Sequence, residues 1–168
     1  MSDTTREDRH DARLEALEAR LEAMEAQLEI RDVLACYGFA VDSGDADAAA
    51  ALFAPDSVTT VDGGRLVLRG QQGIREMVLG SEHQSILPGS SHTIGPVHVE
   101  VDGDQAFVVG YSRVDYSEDH RVSPILSSAN LWRFARRDGA WLIVERQTQF
   151  LGTSAGQGLL HQGLPVTP

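Results

Sequence analysis

The chain has 168 residues, 42% of them apolar, enough for one well-buried core and too few for two comfortable domains. Its formal charge of −11, with no basic stripe, argues against nucleic acid and anionic membrane surfaces and leaves a small molecule as the expected partner. The N-terminus is charged and no run approaches the ~18 apolar residues of a spanning helix, so a cytoplasmic protein is expected.

Residues 1–11 are polar without periodicity and are expected to be disordered. From Ala12 a helical pattern begins, and residues 12–29 form an N-terminal extension ahead of a domain at 30–151. In the extension Leu14, Leu17, Leu21, Met24 and Leu28 alternate spacings of three and four. With Leu14 and Leu21 at heptad position a, Arg13 and Arg20 fall at g while Glu18 and Glu25 fall at e. That charge pattern suits a parallel coiled coil; the other reading is that the stripe packs on its own domain. Ile30, Val33, Leu34 and Tyr37 carry an apolar face on to about Ala40, as one long helix or two in line. Cys36, the only cysteine, falls beside them and reads as inert core.

Asp45 caps a short Ala-rich helix through Phe53, and Pro55 ends it. Two short strands at 58–61 and 66–68 flank an Asp-Gly-Gly turn, residues 70–79 form a brief helix, and a Ser/Pro/Gly-rich loop runs to Ser91. Four strands follow, at 92–101, 105–116, 124–136 and 140–150, with Asp-Gly turns before the second and fourth. Helices first and an antiparallel sheet afterwards make an α+β protein. Residues 152–168, rich in Gly and Pro, read as a flexible tail, either a lid over a pocket or a disordered end.

Two residues stand out as chemistry. Asp42 follows the long helix and has no capping duty, because Asp45 fills that role better. His92 opens a strand, and an imidazole oriented by a carboxylate is the minimum equipment for proton abstraction near neutral pH; such a pair also predicts a raised His92 pKa. Arg146 shares a strand face with Leu142, Val144 and Phe150, so it needs an anion, either an internal carboxylate or a substrate oxyanion or leaving group. Asn130 lies on the apolar face of Leu126, Trp132 and Phe134 and must find a partner in protein or ligand. Tyr37 is either a core ring or a pocket donor. No His, Cys or carboxylate spacing matches a metal site, and Gly-rich phosphate loops and nucleophile elbows are missing.

The segments Ile30-Arg31-Asp32-Val33, Val41-Asp42-Ser43-Gly44-Asp45-Ala46-Asp47, Leu52-Phe53-Ala54-Pro55-Asp56, His92-Thr93-Ile94-Gly95, Ser128-Ala129-Asn130-Leu131-Trp132 and Asp138-Gly139-Ala140-Trp141 resemble, together, the SnoaL-like family of the nuclear-transport-factor-2-like superfamily. The resemblance covers about residues 28–151. It implies a cone, in which a strongly curved antiparallel sheet wraps around a deep apolar pocket closed by helices. Within the superfamily the chain is similar to the scytalone dehydratase, hexachlorocyclohexane dehydrochlorinase and bile acid dehydratase groups, which are cofactor-free lyases with an Asp-His pair.

By that resemblance Asp42 and His92 are the catalytic pair, Asn130 matches the scytalone group's asparagine, Arg146 the dehydrochlorinases' late-strand arginine, and Tyr37 the bile acid group's tyrosine. The set is a mixture. Val41 stands where the scytalone group has a tyrosine, and Tyr37 where the dehydrochlorinases have a lysine, so no substrate carries over. The expectation is a lyase on a small, largely apolar cyclic molecule, without cofactor or metal, assembled as a homodimer or homotrimer. An isomerase or polyketide-type cyclase in the same pocket, with Asp62 as its base, and a non-catalytic ligand-binding or assembly protein are the alternatives.

Overall fold

The computed structural model describes residues 4–164. A single helix, α1, spans Thr4–Ser43, so helix covers residues 4–11 of the stretch expected to be disordered, while residues 1–3 lie outside the description. Its domain half buries Ala26, Ile30, Leu34, Tyr37 and Val41, spaced three or four apart as one helical face requires. Cys36 falls off that face and is exposed, which corrects its reading as core.

The end of α1 is sharply defined. Gly44 adopts φ +72°, its N–H reaches the Val41 carbonyl at 3.1 Å, and the Asp45 N–H reaches the Ala40 carbonyl at 2.9 Å. This left-handed stop fixes Asp42 in the last turn. Asp45 Oδ1 then accepts from Ala48 N at 2.9 Å and caps α2, Ala46–Ala51.

The expected helix through Phe53 stops earlier, because Phe53 already belongs to β1, Phe53–Val61. Pro55 sits inside that strand, between Phe53 and Val58, where the register with β6 shifts and a missing N–H is tolerated. A 3-10 turn at Asp62–Gly64 leads to β2, Leu66–Arg69, then α3, Gly70–Leu79, and the one-turn α4, Ser81–Gln84. The long strands are β3, Ser90–Asp102, β4, Gln105–Glu118, β5, Arg121–Arg137, and β6, Ala140–Phe150.

The six strands form one curved, unclosed sheet in the order β2-β1-β6-β5-β4-β3. All pairs are antiparallel except β1 with β6, which is parallel. Val99, Val108, Trp132 and Ile143 of the sheet pack with Ile30, Leu34 and Val41 of α1 and with Ile74 and Val78 of α3 to make the main core.

The segment expected to be a flexible tail or lid, of which residues 165–168 lie outside the described residues, contains α5, Ser154–His161, capped by Thr153, whose Oγ1 accepts from Gly156 N at 3.0 Å. Leu159 and Leu160 pack on Val109, Ala129 and Leu131. Those residues alternate with Val108, Asn130 and Trp132 along their strands, so α5 lies on the opposite face of the sheet from α1. It is an outer buttress and does not cover the cone's interior.

Candidate active site

Asp42 and His92 meet because α1 approaches β3 unusually closely. A Cβ on Gly38 would lie 2.5 Å from the His92 carbonyl oxygen, so only glycine permits the crossing one turn before Asp42. Asp42 Oδ1 accepts from His92 Nδ1 at 2.6 Å and from Ser90 Oγ at 2.8 Å, while its Oδ2 accepts the His92 backbone N–H at 2.6 Å. The carboxylate thus holds both the ring and the backbone of one residue. With Nδ1–H donated to Asp42, the lone pair sits on Nε2.

The His92 side chain is 18% exposed. Burial is the largest influence on it and pushes its pKa below the usual 6.5; the hydrogen bond and negative charge of Asp42 oppose this, and the positive charges of His83 and Arg146 reinforce it. The expected upward shift is therefore reversed by desolvation. A neutral imidazole at pH 7 is the form that accepts a proton.

His83, on α4, is a neighbour the sequence reading passed over. It is buried, its Nε2 donates to the Val41 carbonyl at 2.8 Å, and its ring centroid lies 5.5 Å from that of His92. Both imidazoles line a cavity of about 890 Å³ whose other walls include Leu68, Met77, Val114 and Leu126. That volume accommodates a small organic ligand. A separate groove of about 440 Å³ between α1 and β3, lined by Leu34, Ala35 and Phe39, also reaches Asp42 and His92.

Tyr37, Asn130 and Arg146 form a second cluster on the same face of the sheet, and like Asp62 none of the three lines either cavity. Asn130 is fully buried, and its Oδ1 accepts from Arg146 Nε at 3.2 Å, from Arg146 Nη2 at 3.0 Å and from Thr148 Oγ1 at 2.8 Å. Its Nδ2 donates to Ser112 Oγ at 2.8 Å, so all of the amide's polar atoms are engaged. The Arg146 guanidinium lies 5.1 Å from the Tyr37 ring centroid and 5.8 Å from that of Trp132. Tyr37 itself packs edge-on against Phe53 at 5.7 Å.

Two buried hydroxyls beside this cluster, Ser128 Oγ and Thr59 Oγ1, have no hydrogen-bond partner among the described residues. Ser128 is two residues from Asn130 on β5 and Thr59 pairs with Arg146 across β1 and β6, so both belong to the polar floor. Small hydroxyl residues at strand positions carry no signal in a single sequence. Asp62, by contrast, sits in the turn after β1 at φ +51°, its carboxylate 4.0 Å from Arg65, outside the walls of both cavities. Among the described residues no group of three His, Cys, Asp or Glu could hold a metal ion, and no helix is long and apolar enough to cross a membrane.

A curved sheet enclosing a helix-covered pocket with an Asp-His pair at its wall defines a protein of the nuclear-transport-factor-2-like class. The chain belongs to the SnoaL-like domain family, whose model matches residues 22–147. A nuclear-transport-factor-2-like protein with a cystatin-like fold from Novosphingobium aromaticivorans is similar at 34% identity and TM-score 0.81, covering 86% of this chain and 94% of that one. A protein of unknown function from Mycobacterium tuberculosis matches at 24% identity and TM-score 0.69, over 84% and 90% of the two chains. A candidate scytalone dehydratase from Novosphingobium aromaticivorans shares the fold at 17% identity and TM-score 0.65, over 76% and 85%. No curated protein matches the chain. The family includes dehydratases and cyclases or isomerases.

Proposed function

We propose that the protein is a cofactor-independent lyase, of dehydratase or dehydrohalogenase type, acting on a small, largely apolar cyclic molecule. The observation that carries this reading is the Asp42 to His92 Nδ1 hydrogen bond of 2.6 Å on a ring that also lines the larger cavity. His92 Nε2 takes a proton from a carbon next to a carbonyl or beside the leaving group. Asp42 keeps the ring in the productive tautomer and stabilises the imidazolium that forms. The electron pair of the broken C–H bond becomes the new double bond, and hydroxide or halide departs with its own pair.

Arg146, Asn130 and Tyr37 support the second half of that step. Among the described residues Arg146 pairs with no carboxylate, so its charge is available to an electron-rich group. Asn130 aims the guanidinium, and Tyr37, which makes no hydrogen bond within the described residues, offers its hydroxyl to a developing oxyanion. The apolar walls favour a substrate with few polar atoms.

The test is a panel of cyclic hydroxy ketones and halogenated cyclohexanes, with release of water or halide as the readout. Isomerisation or cyclisation would start with the same proton transfer but release neither. His92→Ala should lower turnover on the order of 10²–10⁴ while the melting temperature holds. Equal activity in that variant removes the mechanism, and unchanged ligand binding without any turnover in either protein points to a binding module.

A further inference from the structure

α1 carries two apolar faces, and the domain uses only one. The face inward contains Ala26, Ile30, Leu34 and Tyr37, all buried. Leu14, Leu17, Leu21, Met24 and Leu28 lie on a different face and are between 44% and 62% exposed. At 100° per residue Met24 and Leu28 each stand about 200° from Ala26, so the second stripe points away from the domain. The reading in which the stripe packs on its own fold is thereby contradicted. Five large apolar side chains in one row on a free helix are more than the scattered exposed residues any surface carries.

We propose that this stripe is a homodimer seam, occupied by the same segment of a second copy in parallel orientation. The occupant is chosen by charge. Leu14, Leu21 and Leu28 fall at a and Leu17 and Met24 at d, which places Arg13 and Arg20 at g and Glu18 and Glu25 at e. In a parallel pair each g residue faces the e residue of the partner's next heptad, giving Arg13 opposite Glu18 and Arg20 opposite Glu25. An antiparallel pair would set Arg against Arg and Glu against Glu. Among the described residues none of these four side chains forms an ion pair within the chain, so all are available across the seam.

The remaining positions fit the same arrangement. Ala16, Ala19 and Ala23 occupy c and f sites away from the seam, and Ala19 and Ala23 face the chain's own turn at 101–104. Arg31 and Asp32 end the stripe before the cone begins. A free coil of this length is marginal in water, because nucleating its helix is costly. Here the domain half of α1 is already folded on the core, and the extension only propagates from it.

Disulfide trapping of the full chain tests the seam independently of any association through the cones. In a Cys36→Ser background, Leu14→Cys and Leu21→Cys each place the thiol at an a position, where parallel partners bring identical residues together, while Ala19→Cys places it away from the seam. Under mild oxidation the two a-position variants should convert mostly to covalent dimer, and Ala19→Cys should stay largely monomeric. Equal trapping at all three positions, or trapping at none, overturns the proposal. Arg13→Glu with Arg20→Glu should weaken association at least tenfold by light scattering, and mixing with the Glu18→Arg, Glu25→Arg chain should restore it. Failure of the mixture to associate better than either chain alone also counts against the parallel seam, and circular dichroism shows whether each variant stays folded.

Discussion

Arg146 donates through both Nε and Nη2 to one neutral oxygen, Asn130 Oδ1, at 3.2 and 3.0 Å. A guanidinium flanked by the Tyr37 and Trp132 rings is thus oriented without being neutralised. The sequence left open whether Arg146 meets an internal carboxylate; among the described residues it meets none, and an amide supports it instead. Aimed but uncompensated positive charge is what a departing anion or an oxyanion requires.

Asn130→Asp separates aiming from charge. The carboxylate would still accept from Arg146 and Thr148, and the Ser112 hydroxyl can turn to donate. The fold should therefore survive with a melting temperature within a few degrees, while turnover falls at least about tenfold because Arg146 is now paired. Asn130→Leu instead strands the guanidinium and the Thr148 hydroxyl and should cost about 2–4 kcal/mol by urea denaturation. Full activity in the Asp variant would show that the charge of Arg146 is not used.

The His92 titration checks the electrostatics without any substrate. Its NMR midpoint, assigned by comparison with His92→Gln, should lie below 6.5, because burial outweighs the attraction of Asp42. In Asp42→Asn it should drop further, since the carboxylate is the influence holding it up. A midpoint above 6.5 would mean that Asp42 outweighs burial, and one that ignores Asp42 would mean that the two residues do not interact as their geometry requires.

The same shift fixes the sign of two pH dependences. A histidine whose folded pKa is depressed binds fewer protons folded than unfolded between that pKa and 6.5, so it contributes full stability above 6.5 and loses it as pH falls through the folded value. Turnover by a neutral base follows the same direction. The acid limb of kcat/KM should lie below 6.5, and Asp42→Asn should move it to lower pH. An acid limb above 6.5 would assign the base to another group.

How much of this was legible in the sequence depends on the range of the interaction responsible. The Asp45 cap, the 70–79 helix and the Asp-Gly turns between the long strands are local chemistry, and the structure places them where the sequence puts them. β1 was hidden by Pro55, which a register shift against β6 accommodates. α5 was hidden by Gly156 and Gly158, poor helix formers that Leu159 overrides by packing on Val109, Ala129 and Leu131. Asp42 and His92 were readable as a pair, but the direction of the His92 shift was not, because burial is a property of the whole fold. His83 and Thr59 have no sequence signal at all, and Ser128 has only its place in the Ser-Ala-Asn segment; the long-range pairing that surrounds them marks them.

His83 provides the last prediction. Its Nε2–H holds the carbonyl of Val41, the residue immediately before Asp42, at 2.8 Å. The Gly44 N–H also reaches that oxygen, so His83→Leu does not orphan it completely and should cost about 1 kcal/mol of stability rather than the full penalty of an unpaired buried group. The greater effect should be on rate, because the last turn of α1 carries the carboxylate that orients His92. His83→Gln offers an amide N–H in place of the imidazole and should recover most of the turnover lost in His83→Leu. His83 is also one of the influences that lower the His92 pKa, so the His92 midpoint should rise in both His83 variants. Measured together, turnover and midpoint distinguish a positioning residue from a filler: if His83→Leu matches the wild type in both, the hydrogen bond to Val41 has no part in the site.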